Sequence, residues 1–306
     1  MTPFHSISML PASPSSVQPR SHRPFTLVLA GGGARGFAHV GVLRALEAEG
    51  LRPSAVVGVS MGAAVAAAYA LRDDWYDAVL GLDTRTFPPP PGEVSEPSLF
   101  DRLHARRMGA EFAFRLVTGW GVGVPAYDAG RHALATLTEA RDLSEARLPV
   151  AITATDLRTG ARHVMRHGDA ADAVYASSAL AGVLPPLESG ELLLSDGAYA
   201  DPAPVDLARE IGPPFVLAVD VGQSRPAPSI DNGFYALQRA AFITSRSHAA
   251  ARFALADLTL RPDFRRTIHT LEFDARRECA AAGAWAVRAA RPRLAAVLGA
   301  SARSAA

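Results

Sequence analysis

Ser60 stands in Gly58-Val59-Ser60-Met61-Gly62, after the apolar run Ala55-Val56-Val57 and ahead of the helix-forming stretch Ala63 to Leu71. Strand, sharp turn and helix with a serine at the turn is the arrangement of a nucleophile elbow. The two glycines suit a turn with unusual backbone angles and no room for Cβ atoms beside neighbouring strands. The hydroxyl then stands at the sheet edge, at the positive end of a helix. Such a serine can attack an acyl carbon if the chain also supplies a base and donors for an oxyanion.

The donors are offered by Gly31-Gly32-Gly33-Ala34-Arg35-Gly36, between the apolar strand Phe25 to Ala30 and a helix from about Phe37 to Glu49. Successive glycines let backbone N–H groups converge on one small space at a helix N-terminus. Gly31, Gly33 and Gly36 also satisfy G-x-G-x-x-G, the dinucleotide pattern. That pattern needs an acidic residue at the end of the second strand, where this chain has Ser60. In parallel strands joined by one helix, both C-terminal ends lie on one edge of the sheet, so the glycine loop and Ser60 face one crevice. Arg35 either adds positive charge there or braces the loop through a carboxylate.

Several residues could be the base. His39 falls early in the first helix, where packing or capping is the expected role. His248 and His269 follow Asp196 and Asp220 in the order Ser…Asp…His, but neither stands in a glycine-rich loop after a strand. Asp196 follows the apolar Leu192-Leu193-Leu194 and precedes Gly197, which puts it on a tight loop at a strand end. A carboxylate serves as a base when burial raises its pKa toward working pH; an ordinary Asp-Gly turn is the competing reading.

The elements that would hold these groups read as an α/β fold, with a parallel-type central sheet flanked by helices and a mostly helical C-terminal region. The apolar positions Val40, Leu43 and Leu46 recur at helical spacing, and Gly50 is placed to end that helix. Further strands are expected at Pro149 to Ala154, Arg162 to Arg166, Leu192 to Leu194 and Phe215 to Val219, with a helix at Ala129 to Thr138. Thr86 to Pro97, with four consecutive prolines, is a break. Leu99 to Trp120 reads as a helix mixing aromatic residues and arginines, either packed on the core or lying at a lipid interface. From Phe234 the chain is rich in Ala and Arg and mostly helical, interrupted by a strand-like Thr267 to Phe273. The expected division is a flexible tail over 1–24, a catalytic domain over 25–222 and a helical region over 223–306 packed upon it.

With 306 residues, 49% of them hydrophobic, a sizeable core can form. The net charge of +1 makes no case for nucleic acid; every basic residue is Arg. The single cysteine, Cys279, excludes an intrachain disulfide and a Cys-based metal cluster. No H-E-x-x-H spacing occurs, and no apolar run approaches a membrane span of about 18 residues. Met1 to Arg23 lacks the pattern of a secretory signal. A cytoplasmic location is expected, with peripheral membrane contact left open.

Taken in order, these segments resemble the patatin-like phospholipases. Gly31 to Gly36 is similar to the family's G-G-G-x-R-G oxyanion loop, and Phe37 to Leu43 to the helix after it. Gly58 to Gly62 resembles the G-x-S-x-G elbow, Asp156-Leu157-Arg158-Thr159-Gly160 a D-L-x-T-G segment, and Ala176-Ser177-Ser178 with Pro185-Pro186 an A-S-x…P-P block. Asp196-Gly197-Ala198 resembles the D-G-G/A motif. The resemblance runs from about Phe25 to Gly222. Leu180-Ala181-Gly182 departs from it where the family usually has a proline, which implies a changed loop beside the site. The resemblance implies a Ser60–Asp196 dyad without histidine, an oxyanion hole in the glycine loop, a lipid or fatty-acyl ester substrate, and no metal or organic cofactor. An acyltransferase using the same dyad, or a non-catalytic lipid-binding regulator, are the alternatives. Oligomeric state is left open.

Overall fold

The computed structural model describes residues 22–85, 127–223 and 232–299, with Gly119 and Ile230 besides. The expected tail lies almost wholly outside these residues. So do the proline break at Thr86 to Pro97 and the aromatic–arginine helix at Leu99 to Trp120.

Among the described residues the core is a mixed sheet of eight strands. They are β1 (Thr26–Leu29), β2 (Ala55–Val59), β3 (Val150–Asp156), β4 (Arg162–Met165), β5 (Leu187–Ser189), β6 (Leu192–Asp196), β7 (Val216–Val219) and β8 (Leu258–Leu260), in the order β5-β6-β3-β2-β1-β7-β8, with β4 on β3. β3, β2, β1, β7 and β8 run parallel. β1, β2 and β7 are buried along their whole length, which is why they read as unbroken apolar runs. β4, β5 and β6 extend the sheet antiparallel.

The helices are α1 (Ala38–Ala48), α2 (Met61–Leu71), α3 (Trp75–Leu80), α4 (Tyr127–Thr138), α5 (Ala170–Ser178), α6 (Val205–Ile211), α7 (Gly233–Phe253) and α8 (Arg276–Leu298). α2 is buried on every face. Its composition, Met-Gly-Ala-Ala-Val-Ala-Ala-Ala-Tyr-Ala-Leu, is apolar all round, as a central helix must be. The C-terminal part is helical in α7 and α8, and α8 packs along α1. Among the described residues no helix is long and apolar enough to cross a membrane.

Two local expectations change. β8 is a three-residue strand, too short to announce itself, and it pairs with β7 at the sheet edge. Thr267 to Phe273 is not a strand: apart from Phe273, which opens a short 3-10 turn, it runs without regular structure. Its main chain is engaged elsewhere. Thr270 O accepts from Ala34 N at 2.8 Å, and Ile268 O accepts from Arg35 Nη1 at 2.7 Å. The segment is a strap across the glycine loop.

Candidate active site

Sheet register brings the serine and the aspartate together. Val59 pairs with Thr153 on β3, so Ser60 stands level with Ala154, and Ala154 pairs with Asp196 on the other side. β6 reaches this level from the opposite direction, being antiparallel to β3.

At the end of β2 the chain turns sharply into α2. Ser60 has φ 54° and ψ −126°, a conformation that costs a non-glycine residue roughly 1–3 kcal/mol. A Cβ at Gly62 would overlap the Leu29 carbonyl, and one at Gly58 would press on Ala63 Cα. Both glycines are therefore required by close packing of the turn on β1 and α2. The strained turn is held from the side. Ser60 N donates to Ser177 Oγ at 2.8 Å, and Ser177 Oγ donates to Thr153 O at 2.7 Å. Ser177 lies within the A-S-x stretch, but nothing in the sequence disclosed this role.

Ser60 Oγ donates to Asp196 Oδ2 at 2.6 Å. Asp196 Oδ1 accepts from Ala198 N at 2.9 Å, so the Gly197-Ala198 turn orients the carboxyl. Its main chain is fixed by Asp196 N to Ala179 O at 3.0 Å and by Thr155 Oγ1 to Asp196 O at 2.8 Å. Burial raises the Asp196 pKa from 3.8 to about 6, against the lowering effect of the bonds from Ser60 and Ala198. The carboxyl is thus poised to exchange a proton near neutral pH.

The glycine loop lies beside this pair. Gly31, Gly32, Gly33 and Arg35 line the same cavity as Ser60 and Asp196, and Gly36 belongs to the short 3-10 turn Gly33–Phe37. Arg35 Nε donates to Val221 O at 3.1 Å and Nη1 to Ile268 O. It braces the loop through main-chain carbonyls. Ala34 N is taken by Thr270 O at 2.8 Å.

The three histidines weighed as bases stand apart from this arrangement. His39 is fully buried, and its Nε2–H donates to Ala30 O at 2.8 Å. Burial lowers its pKa to about 4, so it is neutral and packs behind the loop, as expected. Neither His248 nor His269 is among the residues lining the cavity.

The cavity has a volume of about 330 Å³, within the range of small-molecule sites. Its walls are largely apolar, with Met61, Leu134, Phe242, Phe253 and Phe273 among them. Leu180, Val183 and Leu184, in and after the departing Leu180-Ala181-Gly182 loop, also line it. Ala181 N donates to Tyr199 Oη at 2.9 Å, which pins that loop to the turn after Asp196. Asp156 is a turn former: it accepts from Thr159 Oγ1 at 2.7 Å and from Leu193 N at 3.2 Å, fastening the Asp156 to Gly160 segment to β6.

Residues 27–209 match the family described as patatin-like phospholipase. The chain belongs to the patatin-like phospholipase family. Among known relatives, a patatin-like phospholipase domain-containing protein, ZK370.4 of Caenorhabditis elegans, is 36% identical over 223 residues, covering 68% of this chain and 14% of that protein. Human patatin-like phospholipase domain-containing protein 6 is 32% identical, covering 64% of this chain and 13% of that protein. Lysophospholipase NTE1 of Cryptococcus neoformans is also 32% identical, covering 64% and 11%. This patatin-like chain therefore spans about a seventh or less of the length of these relatives. Among solved structures, VipD from Legionella pneumophila aligns with a TM-score of 0.43 and 14% identity, over 87% of this chain and 67% of that one.

Proposed function

We propose that this patatin-like chain is a serine lipid acyl hydrolase of phospholipase A, lysophospholipase or esterase type, a carboxylic ester hydrolase. The observation that carries the reading is the 2.6 Å bond from Ser60 Oγ to a buried Asp196 whose pKa is raised to about 6. Family membership and the lysophospholipase relatives support a lipid ester as substrate, and the apolar cavity suits an acyl chain.

In this reading Asp196 takes the proton from Ser60 Oγ as the oxygen attacks the ester carbonyl. The carbonyl π pair moves onto oxygen, where the Gly32 and Gly33 amides receive it. Collapse of the intermediate expels the alcohol, which takes the proton from Asp196 and leaves an acyl-Ser60 ester. A water then attacks with its proton passing to Asp196, and the fatty acid departs as Ser60 recovers its hydrogen. Gly58, Gly62, Gly197 and Ala198 shape the two turns, and Arg35 and Gly36 hold the loop. Residues 25–222 carry the chemistry in this proposal, with α8 packed along α1.

The test is hydrolysis of p-nitrophenyl esters across a chain-length series, wild type beside Ser60→Ala. Ser60-dependent release that strengthens with acyl length is the expected result. Equal rates in the two proteins would remove Ser60 from the mechanism.

A further inference from the structure

α7 forms one wall of the cavity with Phe242, Ser245, Arg246, Ala249 and Phe253. Arg246 is the charged member of that wall. Its side chain is 35% exposed, and among the described residues its one partner is Asp220, with Nη1 to Oδ1 at 3.5 Å. That separation is at the outer limit of a hydrogen bond. Asp220 is already served by two other donors, Gly222 N at 2.9 Å on Oδ1 and Arg261 Nε at 3.3 Å on Oδ2. Two guanidiniums on one carboxylate leave one positive charge in excess.

A guanidinium carries five N–H donors in a planar fork. Most of those of Arg246 are unspent, beside a largely apolar cavity. Holding α7 in place does not call for them. Arg252, on the same helix, donates to Asp201 at 2.8 and 2.6 Å and also pairs with Asp206. The guanidinium also occupies a slot that depends on a glycine: a Cβ at Gly222 would overlap Arg246 Nη1. Gly222 and Gln223 line the same cavity as Ser60 and Asp196. A half-buried fork with free donors, an excess positive charge and apolar neighbours fits an anion that has several oxygens and is attached to an apolar chain.

We propose that Arg246 binds the phosphate of a lysophospholipid whose acyl ester lies at Ser60, and so sets a preference for phosphate-bearing over neutral lipids. This rests on the hydrolase reading above and names its substrate class.

Binding can be separated from catalysis by working in the full chain carrying Ser60→Ala. Calorimetric titration with lauroyl lysophosphatidylcholine, lauroylglycerol and glycerophosphocholine, each below its micelle concentration, gives three affinities. Arg246→Gln should reduce the ratio of lysophospholipid to monoacylglycerol affinity by about ten- to a hundredfold, the weight of a charged hydrogen-bonding group. Arg246→Lys keeps the charge but not the fork, and should fall between. Gly222→Ala, which displaces the guanidinium without removing it, should lower the ratio as Arg246→Gln does. An unchanged ratio, an equal loss for both lipids, or no lysophospholipid binding in folded protein would overturn the proposal. Glycerophosphocholine binding as tightly as the lysolipid would also overturn it, by marking a site for the free headgroup. Ser60-independent ester hydrolysis alongside an Arg246-dependent ratio would instead sink the Ser60 mechanism and leave the phosphate site standing.

Discussion

Replacing Asp196 with Asn should stabilise the protein at alkaline pH while removing the base we propose. The carboxyl is buried and its pKa is raised from 3.8 to about 6. A raised folded-state value means that the folded protein holds this proton more tightly than the unfolded chain does. Ionisation therefore costs stability as pH climbs from about 4 to about 6, and the cost is then constant. At about 1.4 kcal/mol per pH unit it reaches about 3 kcal/mol. Asn pays none of it. Its Oδ1 can accept from Ala198 N and its Nδ2 can donate to Ser60 Oγ, so no buried partner is stranded. Urea unfolding of both proteins near pH 4 and near pH 8, extrapolated to water, should show the Asn variant gaining about 2.5 kcal/mol relative to wild type between the two conditions. Activity should be lost at both. The wild-type kcat/KM should have an acid limb centred near pH 6, since the base must be ionised to act. A stability difference that does not change with pH, or that changes in the opposite sense, would refute the argument from desolvation.

The strain at Ser60 makes a separate prediction. Ser60→Gly should be more stable than Ser60→Ala by about 1 kcal/mol, reversing the usual glycine penalty, because only glycine takes φ 54° and ψ −126° without cost; an equal or higher thermal midpoint for the Ala variant would contradict it. Ser177→Ala should destabilise by about 2 kcal/mol, because Ser60 N and Thr153 O each lose a buried partner. It should also lower kcat more than it alters KM, since Ser177 positions Ser60; a pure KM effect would count against that role.

What was legible in the sequence was what is encoded locally. The elbow and the glycine loop each follow an apolar strand and precede a helix, so composition and spacing suffice to place them on one sheet edge. Asp196 was found as an Asp-Gly turn after an apolar run, but the way it arrives was not. Its strand is antiparallel to β3, and only the register Val59 to Thr153 and Ala154 to Asp196 brings it level with Ser60. Ser177, in the last turn of α5, carries no local sign that its hydroxyl links two strands. Thr267 to Phe273 reads as strand-like from its side chains, yet its carbonyls at Ile268 and Thr270 are spent on Arg35 and Ala34. Side-chain pattern cannot report which groups a main chain serves.

That strap explains why residues beyond Gly222 belong to the site's construction even though the motifs end before them. An oxyanion is stabilised only by donors already fixed where its charge develops, and a run of three glycines has little rigidity of its own. Here the loop is fixed from outside: Thr270 O holds Ala34, while Ile268 O and Val221 O hold Arg35. The arginine needs no carboxylate for this. Two main-chain carbonyls, Val221 O and Ile268 O, hold its guanidinium beside the cavity. The same C-terminal region sets α7 against the cavity with Arg246. In the mechanism we propose, residues 25–222 contribute the reacting groups, and the strap and α7 after them brace the glycine loop and place Arg246 in the cavity wall.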